Sequence, residues 1–304
     1  MSTPPAKILV VYNPQASAAR LEVLQRLLEK HFAGRSLQLI ECSRTDMAAR
    51  LRPFLDDGVG LIIAAGGDGT ILDIASVLPL DGPPIGILPM GTGDVLAREL
   101  DIPLNLDKAA ALLAGDHAVR TLDVLRVAGR AYLISVSVGL GARSMRETSA
   151  ARKKIFGKSS YMVTLLLNFF AMQPMEYQVE VDGQAQRVRA SDLMAANSGV
   201  LGYRTLRWWP EVQPDDGRMD LCYLEANTGF YYLWVIFNFL MRRHYRNQHL
   251  NHMPARKSIL IQEPRGLAVQ GDGDWIGETP VEIRLEPGAV KVAVPHKRNK
   301  GGQE

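Results

Sequence analysis

The first hundred residues alternate between short apolar runs and amphipathic helical patterns, and this alternation constrains the fold more than any other feature. Each apolar run has the length and composition of a buried strand. Strands that alternate with helices predict a doubly wound parallel sheet with right-handed crossovers. The predicted strands are 8–12, 37–40, 61–65 and 85–88, and the predicted helices between them are 18–32, 46–55 and 71–78.

The rest of the sequence predicts a second, mainly antiparallel domain. A helix at 106–113 comes first, and Asp-Gly, Glu-Pro and Pro-Gly turns separate many of the later strands. We expect an α/β protein with a Rossmann-like domain over 1–125 and a β-sandwich domain with helical insertions over 126–304. The last strand is free to return to the first domain. The later strands are predicted at 118–127, 131–138, 177–181, 187–196, 219–224, 259–262, 267–270, 281–285 and 290–294, with helical insertions at 143–172 and near 229–246.

Composition and charge exclude several classes of protein. The net charge of +3 is too small for the concentrated basic face that nucleic acid requires. The two cysteines, Cys42 and Cys222, are far apart and have no metal-ligand spacing. Two such cysteines exclude a disulfide scaffold, which favours a reducing compartment. The longest apolar run, 230–241, is shorter than the roughly 20 residues that span a bilayer. We therefore expect a cytoplasmic protein that binds no nucleic acid and touches a membrane only at its surface.

The sharpest chemical signal is the turn Gly66-Gly67-Asp68-Gly69-Thr70, which lies directly after a predicted strand and before a helix. Glycines let backbone N–H groups approach a polyphosphate, and a helix N-terminus favours negative charge. The turn is neither a Walker A loop nor a GxGxxG fingerprint. Its alternative role is structural, as a tight turn in which Asp68 caps the helix.

A second turn with the same character follows the fourth predicted strand, at Gly91-Thr92-Gly93-Asp94. The Thr92 hydroxyl can donate to a phosphate, and Asp94 can hold Mg²⁺ or cap the following helix. Ligands of doubly wound sheets bind at the carboxyl ends of the strands, where both turns are expected. The two turns together predict a phosphate-binding site.

With three further motifs, these turns give the chain a resemblance to the diacylglycerol kinase catalytic-domain superfamily. That superfamily includes bacterial lipid kinases, sphingosine kinases and ceramide kinases. The motifs follow the family's order and span nearly the whole chain. They are Asn13-Pro14, the turn from Gly66 to Thr70, the segment from Pro89 to Asp94, Ala196-Asn197 with the later segment from Pro214 to Asp220, and Asp272-Gly273-Asp274.

The resemblance implies a kinase that uses ATP and Mg²⁺ to phosphorylate a lipid hydroxyl at a membrane surface, as in phospholipid metabolism. The lipid would be diacylglycerol, ceramide, sphingosine or phosphatidylglycerol. A structural Mg²⁺ is implied at Asp216, helped by backbone carbonyls such as those of Gln213 and Arg218. The residues implied around ATP are Asn13, Ser43, Gly66, Gly67, Asp68, Gly69, Thr70, Thr92 and Asp94.

The resemblance also implies that Asp272 and Asp274 face the reacting hydroxyl across an interdomain cleft. One would act as base and the other would join a metal-linked polar network. Asp274 replaces the family's usual Glu, so the choice of base stays open. In a separate departure, Asp94 stands where most members have Asn. Because Asp-Gly is also a common hairpin turn, Asp216 and Asp272 have a structural alternative as turn residues.

Two basic-and-apolar stretches, 153–170 and 230–246, suit docking on lipid, or else are core-facing helices with basic ends. Trp208 and Trp209 suit an acyl groove or, preferably, the core. Two rival functions remain: an NAD kinase, which shares the glycine turn and the two-domain plan, and a catalytically silent regulator that binds lipid or nucleotide. A homodimer is also left open.

Overall fold

The computed structural model describes residues 7–16, 21–139, 174–201, 203–207, 209, 211–225, 237–238 and 250–296. The chain divides into two compact units, one up to Leu122 and again from Gly288 onward, the other from Asp123 to Pro287. The predicted helix at 143–172, both basic-and-apolar stretches and Trp208 lie outside the described residues. The exceptions are residues 237–238, which are helical.

The first unit contains a parallel sheet with the strand order β2-β1-β3-β4. The later residues of the last strand, β18, extend it, with Val292 beside Ile85 of β4. The elements are β1 Lys7–Tyr12, α1 Leu21–His31, β2 Ser36–Glu41, α2 Met47–Asp56, β3 Leu61–Gly66, α3 Asp68–Ala75, β4 Ile85–Pro89, α4 Val95–Glu99 and α5 Leu106–Ala114.

The strand order creates a switch point at the carboxyl ends of β1 and β3. From β1 the chain moves to β2 on one side, and it then moves to β3 and β4 on the other. Strands β3 and β4 are buried throughout because helices cover a parallel sheet on both faces, whereas the edge strand β2 is largely exposed. A crevice at such a switch point is where doubly wound sheets bind ligands.

The second unit is built from antiparallel strands. One sheet has the order β14-β13-β10-β7-β16-β17, and a second contains β15, β8 and β9 beside the first residues of β18. The strands are β5 Ala118–Val127, β6 Arg130–Tyr132, β7 Ser135–Gly139, β8 Met175–Val181, β9 Gln184–Ala190, β10 Asp192–Ala196, β11 Val200–Leu201, β12 Tyr203–Arg207, β13 Met219–Leu224, β14 Leu250–Ala255, β15 Ser258–Glu263, β16 Ala268–Gly271, β17 Asp274–Glu278 and β18 Val281–Val294.

The expected fold class, a parallel α/β unit and an antiparallel β-rich unit, is confirmed. Four strands were not predicted: β11, β12, β14 and β17. Strand β14 contains Asn251, His252 and Pro254, and β17 is partly exposed along its whole length, so neither has a run of buried apolar residues. In the described parts of the chain, no helix is long and apolar enough to cross a membrane.

Candidate active site

The two glycine turns of the first unit touch backbone to backbone. Met90 N donates to Gly66 O at 3.0 Å. A Cβ on Gly91 would stand 2.6 Å from Gly67 Cα, and a Cβ on Gly67 would stand 3.0 Å from Gly91 Cα. Only glycine at both positions allows this approach. The two turns predicted separately from the sequence therefore form one structure at the ends of β3 and β4.

Asp68 ties the two turns together by capping a helix other than its own. Its two carboxylate oxygens accept the backbone N–H groups of Val95 and Leu96, each at 3.0 Å. These residues begin α4, so Asp68 satisfies N–H groups that a helix start leaves without partners. The alternative of a cap for its own helix, α3, does not describe this geometry.

Asp94 occupies the N-cap position of α4 but makes no cap bond with its side chain. It has a left-handed backbone (φ 46°), and its Oδ1 accepts the Gly91 N–H at 3.0 Å. Burial, and secondarily the charge of Asp68, raises the pKa of Asp94 to about 6, although the Gly91 N–H and Arg98 oppose the shift. Its charge therefore varies over mildly acidic pH.

Asn13 links the end of β1 to the first glycine turn. Its Nδ2 donates to Thr70 Oγ1 at 3.2 Å, its Oδ1 accepts the Gln15 N–H at 2.9 Å, and its backbone N–H donates to Ala65 O at 3.1 Å. Ser43 lies apart from these contacts, after β2, with its hydroxyl 3.4 Å from that of Thr45. The structure thus brings Asn13, Thr70 and the glycine turns together at the switch point.

A polyphosphate fits this edge of the sheet. The glycines of the turn expose backbone, and the N–H groups of Asp68 and Gly69 precede the first bonds of α3, which Thr70 and Ile71 donate to Gly67 O. Thr92 is exposed at the second turn. One cation that the sequence argument missed also belongs here: an Nη of Arg44 lies 3.6 Å from where a Cβ on Gly69 would stand. Arg44 lies three residues after Glu41, the last residue of β2, and this place near a strand end was the one weak signal for it in the sequence.

In the second unit, Asp272 and Gly273 form the two-residue turn between β16 and β17, both with positive φ. The Asp272 carboxylate accepts three backbone N–H groups, from Leu133 at 2.7 Å, Ile134 at 3.0 Å and Ser135 at 2.9 Å. Asp272 therefore anchors the hairpin to the start of β7, and both of its carboxylate oxygens are engaged.

Asp274 is the first residue of β17, an edge strand, and is partly exposed. It pairs with Gly271 across the hairpin, and the next residue, Trp275, is 55% exposed. Both aspartates are partly exposed, but the Asp272 carboxylate already accepts three backbone N–H groups. Asp274 is therefore the better candidate to meet an acceptor molecule.

Asp216 belongs to a cluster of carboxylates around a short turn. Its Oδ1 accepts the Arg218 N–H at 3.2 Å, and Arg218 Nε lies 3.0 Å from its Oδ2. Asp123, a buried residue of β5 that the sequence argument missed, accepts the Gly217 N–H at 2.7 Å. Asp220 is also buried, with Arg218 Nε 3.8 Å away.

A magnesium site at this turn stays a prediction: it would use one carboxylate and backbone carbonyls, a set that Mg²⁺ accepts when water completes its shell. Burial raises the pKa of the Asp216 carboxyl; Arg218 opposes the shift, and the charges of Asp220 and Asp123 add to it. A bound cation would relieve the repulsion among these three carboxylates. No group of three or more His, Cys, Asp or Glu side chains among the described residues is placed to share one metal. The carbonyls of Gln213 and Arg218 are the expected partners.

Asn197 and Trp209 are structural in this geometry. Asn197 is fully buried, and its Nδ2 donates to the carbonyl oxygens of Asp123 and Leu133, both at 2.9 Å. Trp209 is 7% exposed, and its ring centroid lies 4.7 Å from that of His252. The preferred core position of Trp209 agrees with this burial.

Comparison with known proteins gives two family matches. Residues 7–127 match the diacylglycerol kinase catalytic domain, and residues 134–294, over half of the chain, match the YegS C-terminal NAD kinase beta sandwich-like domain. An uncharacterised protein of Synechocystis sp. is 24% identical, over 94% of this chain and 70% of its own length. A Staphylococcus aureus protein provisionally named a lipid kinase is 27% identical, over 77% of each chain.

A solved structure is similar over nearly the whole chain. It is the crystal structure of a Bacillus anthracis protein provisionally named a diacylglycerol kinase. The TM-score is 0.78 at 24% identity, and the match covers 97% of each chain. At this identity the match supports the fold alone.

Proposed function

This chain belongs to the family that joins a diacylglycerol kinase catalytic domain to a YegS-type C-terminal domain, and we propose a reaction for it on that basis. As a lipid kinase, it transfers the γ-phosphate of ATP to a lipid hydroxyl in a Mg²⁺-dependent reaction. The acceptor is a membrane lipid such as diacylglycerol, ceramide, sphingosine or phosphatidylglycerol. The observation that carries the proposal is the pair of touching glycine turns at the switch point of β1 and β3.

The first unit supplies the nucleotide site. Backbone N–H groups at the start of α3 and the exposed hydroxyl of Thr92 bind phosphate oxygens, with Ser43 contributing from the end of β2. Thr70 is 1% exposed and acts through its bond to Asn13. Asn13 and Asp68 fix the positions of the turns through the bonds described above. Mg²⁺ bound with ATP neutralises phosphate charge, which is the main requirement of phosphoryl transfer.

The second unit supplies the acceptor chemistry. Asp274 accepts the proton of the lipid hydroxyl while that oxygen forms a bond to the γ-phosphorus, and ADP leaves with the electron pair of the broken P–O bond. Asp272 is a positioning residue that holds the hairpin through Leu133, Ile134 and Ser135. Asp216 and the carbonyls of Gln213 and Arg218 would hold a second Mg²⁺, which would stabilise the turn of this unit.

The experiment is a transfer assay with γ-labelled ATP and a panel of acceptors presented separately: each candidate lipid in mixed micelles, and NAD in solution. The expected result is label in an organic-extractable lipid phosphate, lost when EDTA removes Mg²⁺. Label found only in NADP would establish the NAD kinase instead, a rival that the description of the C-terminal family keeps open. Absence of transfer to every acceptor, with ATP still bound, would favour a silent regulator.

A further inference from the structure

Arg44 lies beside the first glycine turn, although the motifs of the family do not include it. One of its Nη atoms is 3.6 Å from where a Cβ on Gly69 would stand, so the guanidinium borders the space that this glycine leaves open beside the turn. Its side chain is 54% exposed, so the guanidinium is accessible to a ligand. The planar fork of a guanidinium suits phosphate oxygens better than the point charge of a lysine does.

Asp73 of α3 orients Arg44 toward the turn. Arg44 Nε lies 3.7 Å from Asp73 Oδ2, and the Asp73 side chain is only 10% exposed. The Cys42 thiol contacts the same Asp73 oxygen at 3.8 Å, so the end of β2 and the helix are joined through this carboxylate. An arginine fixed by a largely buried partner loses less conformational entropy on binding than a mobile one does.

The charge around the turns calls for such a cation. Asp68 and Asp94 place two carboxyl groups at the turns, and the charge of Asp68 contributes to the raised pKa of Asp94. A nucleotide triphosphate would add several negative charges to the same edge of the sheet. A guanidinium against the turn offsets this repulsion for each phosphate within its reach.

We propose that Arg44 binds the phosphate chain of the nucleotide and sets a preference for triphosphate over monophosphate. The inference rests on the proposed function, because it concerns the same nucleotide site. It assigns Arg44 a role in binding and selectivity, whereas the transfer step depends on other residues.

The test measures equilibrium binding of ATP, ADP and AMP by calorimetry, at two salt concentrations, with and without Mg²⁺. Arg44→Ala should weaken ATP binding about tenfold, the loss expected for one charge-assisted contact, and should weaken AMP binding little. Its ATP affinity should also depend less on salt than that of the wild type. Arg44→Lys keeps the charge and loses the planar fork, so its ATP affinity should lie between those of the wild type and Arg44→Ala.

Arg52→Ala is the matched control, since Arg52 lies in the same unit, is 81% exposed and pairs at 3.8 Å with an Asp56 side chain that is itself 73% exposed. It removes the same charge and should leave every affinity unchanged. Equal ATP affinity in wild type and Arg44→Ala, or an equal loss for ATP and AMP, overturns the inference and leaves the proposed function intact. Loss of ATP selectivity in Arg44→Ala without lipid transfer by the wild type would overturn the proposed function and uphold the inference.

Discussion

At the residue scale, the aspartates of this chain divide between holding backbone and meeting ligands. Asp68 and Asp272 are both fully engaged with backbone N–H groups, two for the first and three for the second. Asp274 is partly exposed on an edge strand. Position in the fold, more than residue type, therefore separates the anchors from the candidate base.

This division predicts opposite effects for the two aspartates of the hairpin. Asp274→Asn should lower kcat by about 10²–10⁴-fold, the usual loss for a general base, with little change in stability. Asp272→Asn should lower the free energy of unfolding by about 1–3 kcal/mol, since an amide cannot accept all three N–H groups. Steady-state kinetics and urea unfolding of both variants test this. An Asp272→Asn protein of wild-type stability and lost turnover would reverse the assignment.

We predict that Asp94→Asn raises the free energy of unfolding by an amount that depends on pH. Its pKa of about 6 in the folded protein is above the ordinary 3.8, so ionisation destabilises the fold as pH rises from about 4 to 6. Below that pH range Asp94 is protonated in both the folded and the unfolded protein. Above it, the fold carries the full free-energy cost of the ionised Asp94. After allowance for solvent screening the cost is about 1–2 kcal/mol. Asn keeps an oxygen for the Gly91 N–H and tolerates the left-handed backbone.

Urea unfolding of wild type and Asp94→Asn from pH 4 to pH 8 checks this. The variant should match the wild type near pH 4, gain on it up to about pH 6 and keep a constant lead above that. A difference that does not change with pH would show that the charge of Asp94 carries no cost in the fold.

At the element scale, the glycine turns depend on contact between β3–α3 and β4–α4. Gly91→Ala places a Cβ 2.6 Å from Gly67 Cα, so the turns must separate. We expect a loss of about 1–3 kcal/mol in unfolding free energy and weaker ATP binding. Gly69→Ala is the control for stability, because its Cβ would meet only Arg44, at 3.6 Å, within helix α3. If the two variants were equally stable, the backbone contact would not hold the turns.

Sequence patterns predicted the strands that carry apolar runs and missed those that do not. Strands β1, β3 and β4 carry continuous apolar runs because the sheet is covered on both faces. Strands β14 and β17 mix polar, glycine and proline residues and have no such signal. Asp123 and Arg44 were missed for a different reason: each becomes notable only through a partner distant in sequence, Gly217 or Asp73.

At the scale of the whole molecule, each compact unit carries one part of the proposed chemistry. The first contains Asn13, the glycine turns and Arg44, and the second contains Asp274, Asp272 and the turn around Asp216. The sequence motifs indicated every member of these sets except Arg44, because turns rich in Gly and Asp are recognisable without the fold. Which residues of each set hold backbone and which can meet a ligand became clear only from the hydrogen bonds of the structure.

The most direct test of lipid phosphorylation is mass spectrometry of lipid extracted after incubation with ATP and Mg²⁺. Diacylglycerol in mixed micelles is the first substrate to try, with wild type and Asp274→Asn in parallel. The account predicts a product heavier than the substrate by one phosphoryl group with the wild type, and almost none with the variant. No phosphorylated form of any candidate lipid, together with phosphorylated NAD in a parallel reaction, would contradict it.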